Sequence, residues 1–148
     1  MYASDWRFFE ELRDRQSLAY TVQVAASGKK LAGIFLSYIA TSPDKEGVAR
    51  KGLLAEFAKL RDVPVAADEL ARAKEYIVGS NAISKESGAA LLGEMLDAWM
   101  FGEGLQELLE YDSRVRAVSA EQMRDVARKY FDPDKRVEGI VRGTGKSV

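Results

Sequence analysis

The spacing at which apolar residues recur changes early in the chain, and that change decides which fold classes are open to it. Ser4 or Asp5 is placed to cap a helix running to about Gln16, with Trp6, Phe8, Phe9 and Leu12 at helical spacing. From Leu18 the spacing falls to two: Leu18, Tyr20, Val22 and Val24 lie on one face, Ala19, Thr21, Gln23 and Ala25 on the other. Ser27-Gly28-Lys29 turns the chain into a second strand, Leu31 to Thr41. There Ile34, Leu36 and Tyr38 alternate with Leu31, Phe35 and Ile39, so both faces are apolar. A strand of that kind is expected inside a sheet rather than at its edge.

Helical spacing then takes over. Ser42-Pro43 is a helix start, because proline at the first helical position gives up an N–H that has no helical partner. Ala49, Leu53, Phe57 and Leu60 follow to Asp62, and Pro64 stops the run. Further helices are predicted from Ala66 to Ser84 (Leu70, Ala73 and Ile77 inward), Ala89 to Phe101 and Leu105 to Val115, with Gly102 and Gly104 between the last two. Ser119-x-x-Gln122 is a capping box for a helix carrying Met123, Val126, Ala127 and Tyr130. Asp132-Pro133 ends it, and Arg136 to Arg142 reads as a last strand. The order is α+β, a single domain over residues 1–148: a mixed β-sheet with helices packed mainly on one face. Three strands are few for a sheet with a buried member, so its first strands are expected to precede Met1.

Composition narrows function mostly by exclusion. The chain has 148 residues, 47% hydrophobic and 30% charged, enough for a real core. Its 22 Lys and Arg against 23 Asp and Glu give no global bias toward nucleic acid, and no apolar run approaches the roughly 20 residues of a membrane helix. A soluble protein is expected, with the cytoplasm and the periplasm equally open and no signal-peptide pattern at the N-terminus. There is no histidine and no cysteine. Imidazole bases, Ser-His and Cys-His nucleophile pairs and thiolate metal sites are therefore unavailable to this chain alone.

Some apparent chemical signals dissolve on inspection. Gly145-Lys146-Ser147 ends like a phosphate loop, but the first glycine of that motif falls on Ile140. Glu69, Glu75, Glu94, Glu103, Glu107 and Glu110 lie mostly opposite the apolar stripes, as on a solvated helix face. Trp99, Met100 and Phe101 suit core packing or an interface with another domain.

The informative segment is Leu12 to Tyr20, where a helix passes into a strand. Arg13 stands in the last helical turns and Tyr20 near the strand's start. Arginine offers a rigid fork of N–H donors and tyrosine an O–H, a pair suited to gripping carbonyl oxygens. The other reading is that Arg13 caps its helix and Tyr20 packs in the core.

These residues resemble the second, non-zinc-binding domain of the M16 (pitrilysin and insulinase) family of zinc metallopeptidases. Leu12-Arg13 and Leu18-Ala19-Tyr20 match that domain's Leu-Arg and Leu-Gly-Tyr or Leu-Ala-Tyr pattern, with Arg and Tyr seven apart. Thr41-Ser42-Pro43, Asp68 to Lys74, Val118 to Gln122 and Val126 to Phe131 extend the likeness over nearly the whole chain. The resemblance implies the non-catalytic half of a zinc endopeptidase. Arg13 and Tyr20 would bind substrate peptide carbonyls, beside a zinc held by a His-x-x-Glu-His domain in cis or on a separate subunit. The family also contains non-proteolytic core subunits, so a scaffold acting through protein interaction is the alternative. No nucleic-acid partner is implied.

The chain alone is expected to bind no catalytic zinc and to cleave no peptide, since carboxylates alone make a poor tetrahedral zinc site. Metal analysis of the purified chain, with peptide hydrolysis assayed in added zinc, checks this; stoichiometric zinc with chelator-sensitive turnover would contradict it.

Overall fold

In the computed structural model the described residues are 7–8, 10–15, 17–28, 31–102 and 104–143. The expected cap at Ser4 or Asp5 and the inward positions of Trp6 and Phe9 lie outside them. The chain enters through a π-helical turn, Glu10–Arg15, and continues into an antiparallel hairpin, β1 (Thr21–Gly28) and β2 (Gly33–Ala40), registered from Thr21 opposite Ala40 to Gly28 opposite Gly33. A 3-10 turn, Pro43–Lys45, leads to α1 (Glu46–Asp62). Then come α2 (Ala67–Ser84), α3 (Gly88–Met100), α4 (Gln106–Ala117) and α5 (Ala120–Tyr130). The α+β class is as expected, and among the described residues the sheet has two strands.

The core explains why the entry turn sits where it does. Phe8 and Leu12 are fully buried against Leu18, Val22 and Val24 and against Ala49, with Leu53 and Phe57 closing over them. Phe57 is the hub of an aromatic cluster, its ring centre 4.9 Å from both Phe8 and Phe131, with Phe35 4.8 Å from Phe131. Rings at such separations gain attraction beyond the area they bury. They tie the hairpin and the entry turn to α1 and to the end of α5.

Helix boundaries follow local chemistry. The Ser119–Gln122 capping box is formed in both directions: Ser119 Oγ accepts from the Gln122 N–H, and Gln122 Oε1 from the Ser119 N–H. Between α3 and α4, Gly104 has φ +96°, a left-handed geometry that favours glycine. A Cβ at Gly102 would strike the Glu107 carboxylate and the Ala98 carbonyl.

Three expectations are corrected. Residues Arg136 to Arg142 form no strand; the segment is extended, but no sheet hydrogen bonds pair it with the hairpin. It is clipped to α1 instead. Arg50 grips Glu138 through two hydrogen bonds (2.6 and 3.0 Å), Arg142 grips Glu46 likewise (2.7 and 2.8 Å), and Arg136 adds a second cation to Glu138 at 2.6 Å. The period-two pattern that suggested a strand is real, since the intervening Val137 and Val141 point wholly into solvent; what is missing is a neighbouring strand. Second, β2 is not enclosed: Ile34, Phe35, Leu36 and Tyr38 are all substantially exposed, and among the described residues β1 is the one strand paired with it. Third, the core-packing reading of Trp99, Met100 and Phe101 fails, as all three are exposed.

The ion pairs holding residues 136–142 are pH-sensitive. Arg50, then Arg136, hold the Glu138 carboxyl below its ordinary value of 4.5, and Arg142 does the same for Glu46. A carboxylate lowered on folding contributes fully above about 4.5 and loses its contribution as pH falls through the lower folded value. The chain has no native thiol, so Val141→Cys provides a unique spin-label site. Label mobility is expected to be low at pH 7 and to rise as pH falls below 4.5 through the lowered folded values, or in the Glu46→Gln/Glu138→Gln variant. Unchanged mobility in that variant would mean that other contacts hold the segment.

Candidate functional site

The helix-to-strand junction is built around a backbone that turns twice within eight residues. The Ser17 N–H donates to the Arg13 carbonyl (3.0 Å) and the Leu18 N–H to the Leu12 carbonyl (2.8 Å). This nested pair is the one that closes glycine-capped helices, widened by one residue as the π-helical pitch requires. The residue at the left-handed position is Ser17, with φ 49°. A non-glycine residue there costs about 1–2 kcal/mol, so the surrounding contacts must hold it.

Two contacts from the far end of the hairpin do so. Thr41 Oγ1 donates to the Leu18 carbonyl, and Lys45 Nζ donates to the Ser17 carbonyl at 3.0 Å. The Tyr20 N–H reaches the Ala40 carbonyl at 2.9 Å, starting the ladder just before β1 begins. Ser17, Leu18, Ala19, Tyr20, Ser42 and Lys45 line a shallow recess of ≈ 110 Å³. Ser42 opens the 3-10 turn through its backbone. Hydrogen bonding from Ser42 is the main cause holding the Asp44 carboxyl below its usual range, with a backbone N–H and the Lys45 charge adding to it.

Of the two residues singled out in the sequence, Tyr20 departs most from a simple alternation. Period two placed it on the face of Val22 and Val24, which are buried; Tyr20 is 76% exposed. The backbone bends at residue 20, so the alternation begins only at Thr21, and the core-packing reading of Tyr20 is excluded. Arg13 is also exposed, on the π-helical turn. The Ser17 turn separates the two and brings the backbone of Leu12 and Arg13 against that of Leu18 and Ser17. Sequence reasoning missed the roles of Ser17, Thr41 and Lys45; only the Thr41-Ser42-Pro43 pattern touched them.

The acidic residues weighed as acid–base groups are mostly engaged at the surface. Glu69 pairs with Arg7, Glu94 with Lys85 and Glu110 with Arg114. A larger recess of ≈ 560 Å³ lies beside Pro64, Leu70, Lys74, Glu75 and Arg116. Its charged groups satisfy one another: Arg116 binds Glu75, and Lys74 Nζ donates to the Arg116 carbonyl at 2.7 Å. Among the described residues no group of three or more His, Cys, Asp or Glu side chains is placed to hold a metal ion, and no helix is long and apolar enough to cross a membrane. Glu103 and residues 144–147 lie outside the described residues.

The sequence pattern of the peptidase M16 inactive domain matches residues 3–77, half of the chain and all of this junction, so the chain belongs to that family. It is 27% identical over 125 residues to an uncharacterised zinc protease of Streptomyces coelicolor, covering 82% of this chain and 27% of that protein. A peptidase M16 inactive domain from Pseudomonas fluorescens superposes with TM-score 0.77 at 25% identity, covering 87% of this chain and 31% of the other. A protease from Helicobacter pylori shares the fold with TM-score 0.70 at 21% identity, covering 83% and 30%. The chain thus spans under a third of the length of these relatives.

The left-handed serine generates a prediction. Ser17→Gly is expected to leave stability unchanged or raise it by up to ~1 kcal/mol, and Ser17→Val to lower it by about 1–2 kcal/mol or more. Chemical denaturation of the two variants checks this; a Ser17→Gly variant clearly less stable than the parent would contradict it.

Proposed function

We propose that this domain is the substrate-gripping half of an M16-type zinc metalloendopeptidase. In that reading Arg13 and Tyr20 donate hydrogen bonds to peptide carbonyl oxygens at an active site whose zinc belongs to a partner domain, in cis or on a separate subunit. The observation that carries the reading is the exposure of Tyr20 at a position the strand period would have buried. A phenol held in solvent by a bent backbone is available as a donor. Membership of the inactive-domain family and likeness to a zinc protease support the class of reaction.

The chemistry asked of this chain is binding and charge stabilisation. A guanidinium and a phenol aimed at a carbonyl oxygen strengthen their hold as negative charge grows on it, which favours the transition state over bound substrate. No imidazole is available here to act as base or as zinc ligand, so the reacting water and its activation belong to the partner.

In the assembled protein, Arg13→Ala and Tyr20→Phe are each expected to lower kcat/KM on unfolded peptides by roughly a hundredfold to a thousandfold, about 2.7–4 kcal/mol of lost transition-state stabilisation, with folding and zinc content unchanged. Peptide cleavage at the parental rate by the doubly substituted protein would overturn the donor roles. Absence of cleavage by the unsubstituted assembly, with defects confined to complex formation, would favour the scaffold reading.

A further inference from the structure

We infer that Thr41 and Lys45 are positioning residues for Tyr20, acting through the two carbonyls that lie between the left-handed turn and the strand; the inference rests on the donor role of Tyr20 proposed above. The path from Ser17 to Tyr20 is only three peptide links long and passes from a strained turn into the hairpin's ladder. Its first two carbonyls are each taken by a side chain from the segment that follows β2: Lys45 holds Ser17, and Thr41 holds Leu18. Thr41 lies one step beyond the last registered pair, Thr21 with Ala40. It therefore holds the backbone where the ladder has stopped ordering it. Leu18 is buried and cannot shift outward, whereas Tyr20 is exposed and has no core packing to fix its ring. With the Tyr20 N–H held by the Ala40 carbonyl, the hydroxyl of Thr41 and the ammonium of Lys45 fix the two carbonyls that lead into it, and the three contacts together set the direction in which the Tyr20 side chain leaves the backbone.

The same two residues join the junction to α1, since Lys45 ends the 3-10 turn and directly precedes that helix. A donor that must meet a carbonyl oxygen at hydrogen-bond distance is sensitive to small displacements, and a misplacement of about 1 Å can cost on the order of a hundredfold in rate.

The test is a double-mutant cycle in the assembled protein, this domain together with its zinc-bearing partner, assayed for cleavage of an unfolded peptide. Thr41→Val and Lys45→Met are each expected to lower kcat/KM by roughly tenfold to a hundredfold when Tyr20 is present, and to have little further effect once Tyr20→Phe has removed the hydroxyl. Thr41→Ser, which keeps the donor, is expected to restore most of the activity. Lys45 is exposed and bears no core packing, so Lys45→Met keeps the test available if Thr41→Val fails to fold. Losses of equal size with Tyr20 and with its phenylalanine replacement would show a merely structural role and overturn the inference. So would full activity of both single variants alongside a strong Tyr20→Phe defect, which would leave the donor reading standing. A Tyr20→Phe protein as active as the parent removes the donor role, and the positioning role with it.

Discussion

The burial of Phe8 and Leu12 beneath α1 is the constraint on which the rest of the structure depends. These two side chains meet Val22 and Val24 from the hairpin and Ala49 from α1 in one small cluster. Burying each fully contributes on the order of 1.5–3 kcal/mol, a large share of the 5–15 kcal/mol that separates folded from unfolded for a typical domain. Because Leu12 and Leu18 are both pinned in this cluster, the five residues between them must reverse direction within a fixed span. The wide π-helical closure and the serine in a left-handed conformation are what that span requires.

Much of this was legible in the sequence. The change of period near Leu18, the stop at Pro64, the capping box at Ser119 and the glycines at 102 and 104 each carry a local physical reason, and the structure places α1, α2, α3, α4 and α5 within a few residues of where those signals put them. What was illegible depended on partners rather than on local preference. Alternation in Arg136 to Arg142 says that one side of an extended chain is apolar; it does not say that a strand lies alongside to receive its hydrogen bonds. Two apolar faces in β2 likewise mark a strand that suits burial, without supplying the neighbour. Period two puts Tyr20 on the face of Val22 and Val24, and a period has no way to register the bend that turns it outward.

The chain spans under a third of the length of the relatives it matches. Its broad exposed apolar areas are formed by Trp99, Met100 and Leu109 on α3 and α4 and by the side chains of β2. The junction at Ser17 differs from them in kind. It is small, polar and internally braced, with a protruding phenol and guanidinium, whereas the broad exposed areas are apolar and carry little chemistry.

The outer edge of β2 has a consequence for how such a module survives in water. From Gly33 to Ala40 the strand has no charged residue and no proline, the two devices by which natural sheets discourage unwanted pairing. Among the described residues β1 is the one strand paired with it, and its outward N–H and C=O groups are a template for any extended chain that arrives first. The order of events during synthesis therefore matters for this hairpin: it is safe once its edge is covered, and in the interval before that it is open to sticky, strand-by-strand self-association.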